Sequence, residues 1–251
     1  MTNVSVLIEG RNFYAGCIRW TRQFNVDMLA LRDLIQQQTG GKIVNLVYYL
    51  GTDSAGVLTD ASNDRIESFV DTLQGAGYTV CSFPLKTKQQ SCHACGAQRT
   101  EIVEKQVDSA ISVAAMQMLD QTDLYVLVTN DTDQLPLLRA LRSENKRVWI
   151  CTWQQSLVSN AMLGYVERVL ALEEYREQLI PSIETMRTEL ESAQRHFSGG
   201  YVGVLYFIRN WKSDKLPMAP ADRSALLDIL VKNGLAVYYT AQDGFAAVRL
   251  L

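Results

Sequence analysis

An apolar run, Tyr125-Val126-Leu127-Val128, leads through Thr129 and Asn130 into Asp131-Thr132-Asp133 without a Gly or Pro spacer, and helically spaced Leu135, Leu138 and Leu141 follow at once. A strand this hydrophobic needs cover on both faces, the condition of a parallel sheet, and α/β proteins place their chemistry at the carboxyl ends of such strands. Asp131 and Asp133 therefore stand at a privileged edge. Carboxylates this close raise each other's pKa unless a cation neutralises them, and a hard divalent metal is the simplest neutraliser. An aspartate just before a helix is also a common N-cap, and Asp133, three residues after Asn130, can serve as one. This stretch alone leaves cap and metal site open, so the decision rests on what else reaches the same edge.

The rest of the chain can supply that edge. In 251 residues, 47% hydrophobic and 20% charged, there is material for one large domain or a medium domain plus a small one. A net charge of -3 gives no bulk attraction to nucleic acid, so any such binding requires a local basic surface. No window approaches the roughly 18 uninterrupted apolar residues of a membrane span, and Met1-Thr2-Asn3 leads into a strand rather than a signal peptide, so a cytoplasmic protein is expected. Five cysteines argue against a disulfide framework and for reduced thiols or a metal.

Val4 to Ile8 reads as a first strand ending at Glu9-Gly10-Arg11-Asn12. Helical spacing over Val26 to Gln38 is closed by Gly40-Gly41; Ile43 to Leu50 is a second strand; Asp60 to Leu73 is a helix ended by Gly75 and Gly77; and Tyr78 to Phe83 is a third strand. This β-α-β-α-β alternation requires a parallel sheet with right-handed crossovers. Lys86 to Thr100 breaks the rhythm with a polar segment containing Cys92-His93-Ala94-Cys95. A helix is expected from about Glu104 to Leu119, with Val107, Ile111, Ala114 and Met118 buried and Asp108 in its first turn. Strands at Tyr125 to Val128, Arg147 to Thr152 and a last apolar run over Val166 to Leu172 complete an α/β domain over residues 1–172, a doubly wound parallel sheet of about five strands.

Residues 173–195 read as a charge-rich connecting helix. Residues 196–251 carry two helical patterns and a hairpin hinged at Asp243-Gly244, which suggests a small winged-helix-like α+β module. That module holds six Lys or Arg against four Asp or Glu, with Arg209, Trp211, Lys212 and Lys215 grouped. Trp211 can stack on a base there, although such a residue is more often core, and dimerisation competes with RNA recognition as the module's role.

In a doubly wound sheet the first and fourth strands become neighbours where the strand order reverses, and their carboxyl ends form the binding crevice. Glu9, Asp131 and Asp133 end those strands, and Asp108 flanks the crevice from the preceding helix. Carboxylates from three segments have no common capping explanation. Together they suit Mg²⁺ or Mn²⁺ acting on a phosphodiester, with Arg11 and Lys105 to contact phosphate.

At these residues the sequence resembles the NYN domains, a PIN-like, LabA-type group of metal-dependent ribonucleases, over roughly residues 1–172. Val6-Leu7-Ile8-Glu9-Gly10-Arg11-Asn12-Phe13 matches the family's acid-Gly-x-Asn opening, and Tyr48-Tyr49-Leu50-Gly51 matches the end of its second strand. Glu104-Lys105-Gln106-Val107-Asp108 matches its Lys-Gly-x-Asp motif, and Thr129-Asn130-Asp131-Thr132-Asp133 its Ser-Gly-Asp-x-Asp motif. The resemblance implies an endoribonuclease that binds Mg²⁺ or Mn²⁺ through Glu9, Asp108, Asp131 and Asp133, with Arg11, Asn12, Lys105, Thr129 and Asn130 toward the RNA. RNA rather than DNA follows from the resemblance alone. The chain departs from the pattern in Glu9, one methylene longer than the usual Asp, and in Gln106 and Asn130, which replace glycines and narrow the cleft. The alternative is a catalytically weak or inactive RNA-binding or regulatory scaffold of the same fold, with a homodimer or higher oligomer among its expected forms. Cys92 and Cys95 supply half of a four-ligand zinc site; His93, Cys81 or a second chain can add to it, and the competing and favoured reading is a substrate loop with free thiols.

Overall fold

The computed structural model describes residues 1–21, 26–53, 58, 60–91, 95, 98–104, 106–180, 183–197, 201–213, 215–216 and 220–251. The chain divides into two compact units, Met1–Gln23 with Arg32–Tyr175, and Phe24–Leu31 with Arg176–Leu251.

The elements run β1 (Asn3–Glu9), α1 (Gly10–Thr21), α2 (Met28–Thr39), β2 (Lys42–Thr52), α3 (Asp60–Gly75), β3 (Thr79–Ser91), β4 (Gln98–Glu104), α4 (Val107–Gln117), β5 (Leu124–Val128), α5 (Leu135–Ser143), β6 (Arg147–Thr152), α6 (Asn160–Leu163) and β7 (Arg168–Ala171). They build one sheet in the order β4-β3-β2-β1-β5-β6-β7. Six strands are parallel and β4 alone is antiparallel; the sheet has one more parallel strand than the five or so expected, because the last apolar run forms β7. The order reverses at β1, which lies between β2 and β5. The burial of β1 and β5 reflects this central place: Val4, Val6, Ile8, Tyr125 and Val126 are all fully buried.

α1 was not legible as a helix, since polar and small residues follow Glu9. It begins at once after β1, and Gly10 is what permits that. A Cβ there would stand 2.5 Å from the Tyr48 ring and 2.5 Å from the Tyr49 carbonyl oxygen, so no other residue lets the helix start this close to β2. Of the buried stripe expected on α4, Val107 and Ile111 are buried while Ala114 and Met118 are only half-buried, and Ala115 takes their place. Val107, Ile111 and Ala115 pack with Leu137, Leu138 and Leu141 of α5 over Leu7, Tyr49, Leu127 and Ile150.

The polar stretch after β3 is ordered differently from its expected loop. β3 runs on past Leu85, and Lys86 to Ser91 pair antiparallel with Gln98 to Val103, forming a two-stranded ribbon. Glu104 ends β4 rather than opening a helix, and α4 starts at Val107. Polar residues on both sides of a solvated ribbon leave no alternation to betray the strands.

The second unit contains α7 (Arg176–Leu179), α8 (Ile183–His196), β8 (Val202–Gly203), α9 (Val204–Arg209), α10 (Pro220–Lys232), β9 (Ala236–Thr240) and β10 (Ala246–Leu250). Its three strands form an antiparallel sheet in the order β8-β10-β9, with Gly244 at φ 86 in the turn before β10. The stretch expected to be a connecting helix over 173–195 is part of this unit's core: Met186, Leu190 and Ala193 of α8 pack with Phe207, Leu227, Leu230 and Val248. The boundary thus falls after Tyr175, because the apolar side of α8 packs within this unit. Among the described residues no helix is long and apolar enough to cross a membrane.

Candidate functional site

Two strand ends and one helix start meet at the carboxyl edge where the order reverses. Ile8 pairs in parallel register with Val128, which sets Glu9 beside Thr129. The Thr129 hydroxyl donates to Glu9 Oε2 at 2.5 Å and accepts from the Asp131 amide at 3.0 Å. Asp131 Oδ1 in turn accepts from the Asp133 amide at 3.0 Å and caps the single 3-10 turn Thr132–Gln134. The cap at this edge is therefore Asp131, while Asp133 lies inside the turn and is exposed. Asn12 Oδ1 accepts from the Asn130 amide at 3.1 Å, so the side chain expected to orient an acid or a phosphate fixes the loop after β5.

Asp108 sits in the first turn of α4, and its Oδ1 accepts from Gln134 Nε2 at 3.0 Å. The carbonyl oxygen of the same Gln134 amide is buried without a hydrogen bond among the described residues. Glu104, quoted in the motif but not expected among the acids, arrives from β4. Its Oε1 accepts from the Gly51 amide at 2.8 Å, a contact that requires a glycine, since a Cβ on residue 51 would lie 2.5 Å from that oxygen. The signal for Glu104 was hidden by its expected place in a helix; the antiparallel edge strand is what turns it toward β2.

These carboxylates act on one another. Glu9 is 8% exposed, and burial pushes its pKa from 4.5 up to about 7; the Thr129 hydroxyl opposes the rise, while Asp131, Asp108 and Glu104 add to it. Asp108 is exposed as a residue, yet partial shelter of its carboxyl raises its pKa, with Asp131 and Asp133 adding to the effect and the Gln134 amide opposing it. Burial also raises Glu104, against the Gly51 amide and the Arg11 guanidinium. The fold thus brings Glu9, Asp108, Asp131 and Glu104 into one negative field, which Asp133 joins through Asp108. Repulsion of this kind is what a hard cation relieves, and carboxylate oxygens are the donors Mg²⁺ and Mn²⁺ take. Donor chemistry and location therefore fit a divalent metal. Each of Glu9, Asp108 and Asp131 is nonetheless held by an internal hydrogen bond, and among the described residues no three His, Cys, Asp or Glu side chains are gathered closely enough to hold an ion.

Lys105 and Cys92 lie outside the described residues. Cys95 is exposed in a turn beyond the ribbon, and Cys81 is half-buried low on β3. Ten residues of strand separate Cys81 from Ser91, about 33 Å at the usual rise, so Cys81 cannot join a zinc ligand set beyond the far end of that strand. Cys17 and Cys151 are fully buried packing residues. Trp211 is not a free stacking platform: its indole donates to Glu189 Oε2 at 3.0 Å, and its ring packs against Phe207 and His196. Arg209, Lys212 and Lys215 around it are exposed.

A family model described as NYN domain matches residues 3–173. Among curated proteins none matches the chain. A solved structure, a protein of unknown function from Vibrio parahaemolyticus, VPA0982, is similar at 19% identity and a TM-score of 0.52, over 71% of this chain and 95% of that one. At that identity the likeness speaks for the fold alone.

Proposed function

The chain belongs to the NYN domain family, and from that premise we propose that its first unit is a divalent-metal-dependent endoribonuclease working at the edge where β1 and β5 meet. The observation that carries the reading is the shared negative field of Glu9, Asp108 and Asp131, built by residues up to 122 positions apart. The residues that would hold Mg²⁺ or Mn²⁺ are Glu9, Asp108, Asp131 and Asp133; when bound, the ion supplies charge that polarises a phosphate and lowers the pKa of an attacking water. The chain's own groups do the rest. Thr129 fixes the rotamer of Glu9, and Asn12 holds the loop that carries Asp131. With its pKa raised to about 7, Glu9 shares its proton between bound and released forms near neutrality, and a cation at this edge would favour the ionised form. Arg11, beside Glu104, and Lys105 bring positive charge for the substrate phosphates.

The second reading is an RNA-binding scaffold with little or no catalysis, favoured by the internal hydrogen bonds that occupy the three acids. In either case the second unit, with helices α8 to α10 and the sheet β8-β10-β9, is a winged-helix-like module for RNA or a partner chain. The test is cleavage of a mixed pool of labelled RNA by the wild type and by Asp131→Asn, with Mn²⁺ and with EDTA. Mn²⁺-dependent products from the wild type alone support the nuclease; identical profiles from both proteins leave the scaffold.

A further inference from the structure

The ribbon formed by β3 and β4 is the part of the first unit that its folding does not explain. A buried Leu or Ile in the sheet contributes about 1.5–3 kcal/mol by leaving water. The described side chains of the ribbon give no such support: Lys86, Thr87, Lys88 and Gln89 on one strand, and Gln98, Thr100 and Ile102 on the other, are all exposed. A two-stranded ribbon without a covered face is marginal in water. Its place is informative. β3 is parallel to β1 and β2, with Cys81 level with Tyr49 and Tyr49 level with Glu9, so everything beyond Leu85 projects past the carboxyl edge at which the acids lie. Its root is tied to that edge through Glu104 and Gly51, and four residues after Glu104 stands Asp108.

Its charge names the occupant. In a chain of net charge -3, residues 85–103 hold Lys86, Lys88 and Arg99 against one acid, Glu101, which stands opposite Lys88 in the register. Lys86 and Lys88 are two residues apart on one strand, so they share a face at about 6.6 Å, comparable to the separation of successive phosphates along an extended strand. Lys86 makes no ion pair among the described residues, and its cross-strand neighbour is the apolar Val103. A second protein chain adding a strand to the free edge of β4 would favour apolar alternation, and the pairs Gln89–Thr100 and Ser91–Gln98 offer none.

We infer that the β3–β4 ribbon is a docking arm for single-stranded RNA, gripping the backbone through Lys86 and Lys88 and leading it to the acidic edge. The inference rests on the nuclease reading for its direction but not for its measurement. Binding of a fluorescein-labelled 20-nucleotide single-stranded RNA to the full chain is followed by anisotropy in EDTA over a range of KCl concentrations. The proteins compared are the wild type, Lys86→Ala/Lys88→Ala, Asp131→Asn, and Lys212→Ala/Lys215→Ala in the second unit.

With two phosphate contacts removed, the ribbon variant is expected to bind about tenfold more weakly, with a salt slope smaller by about 1.4. Asp131→Asn, which takes a negative charge off the edge that the RNA reaches, is expected to bind at least as tightly as the wild type. If the wild type yields no products in the Mn²⁺ cleavage assay and the ribbon variant still loses affinity, the nuclease reading fails and the arm stands. The arm is overturned if the wild type binds no RNA, or if the ribbon variant binds with unchanged affinity and slope. It is equally overturned if only the second-unit variant weakens binding, or if the ribbon variant changes oligomeric state at unchanged RNA affinity, which would assign the ribbon to a second copy of the chain.

Discussion

The Thr129 hydroxyl donates to the Glu9 carboxylate across 120 residues of sequence, and this one bond joins the ends of the two central strands at the acidic edge. Both groups are buried, with Glu9 8% and Thr129 4% exposed. Removing the donor leaves a buried carboxylate short of a partner, which costs about 1–3 kcal/mol. Thr129→Val is expected to lower stability by that amount in chemical denaturation at pH 8, where Glu9 is ionised, and by less at pH 5. Equal losses at the two values would mean that the bond does not serve the charged form.

The same carboxyl sets a pH dependence. Folding raises the Glu9 pKa from 4.5 to about 7. The folded state therefore binds this proton more tightly, so the associated stability is full below about 4.5 and is lost as pH rises through about 7. The span corresponds to a loss on the order of 3 kcal/mol. In EDTA, the wild type is expected to lose more stability than Glu9→Gln between pH 5 and pH 8, by a few kcal/mol on that scale. Parallel stability profiles for the two proteins would contradict it.

Gln106 occupies a left-handed conformation, φ 74, immediately before α4, at a position where the NYN motif carries glycine. A non-glycine residue there costs about 1–2 kcal/mol, whereas glycine's extra chain entropy costs about 0.5–1. Gln106→Gly is expected to stabilise the protein by about 0.5–1 kcal/mol in urea titration. A destabilised variant would show that the Gln106 side chain contributes more than its backbone strain costs.

Gly10 tests the other motif glycine. The carbonyl oxygen of Tyr49, 2.5 Å from the place of a Cβ, belongs to a central strand and cannot yield as a side-chain tip can. Gly10→Ala is expected to cost more than about 2 kcal/mol, seen as a lower melting temperature, with the Glu9 end of β1 displaced. A melting temperature equal to wild type would mean that β2 gives way freely.

What the sequence disclosed and what it hid divide along physical lines. Buried parallel strands leave continuous apolar runs, so β1, β2, β5 and β6 could be read directly, and their alternation with helices implied the reversal that sets Glu9 beside the residues after β5. The ribbon could not be read, because strands solvated on both faces carry no alternation. With it went the role of Glu104, which depends on an antiparallel partner and on the bare Gly51 amide. α8 was legible as a helix with one solvated and one apolar face, and Met186 and Leu190 of the apolar face are fully buried. What the pattern did not disclose is that this face belongs to the second core, since an apolar stripe does not name its partner. The choice of capping residue was likewise invisible, since Asp131 and Asp133 differ in role only through the backbone of the turn between them.

The proposed nuclease requires the acids at this edge to be donors to one cation. Mn²⁺ binding at pH 7.5, followed by isothermal titration on the wild type and on Asp108→Asn and Asp131→Asn, tests it without reference to any substrate. Saturable binding to the wild type is expected, weakening at least tenfold in each variant, roughly 1.4 kcal/mol per substitution. Binding of equal strength in all three proteins, or none in the wild type, would contradict it.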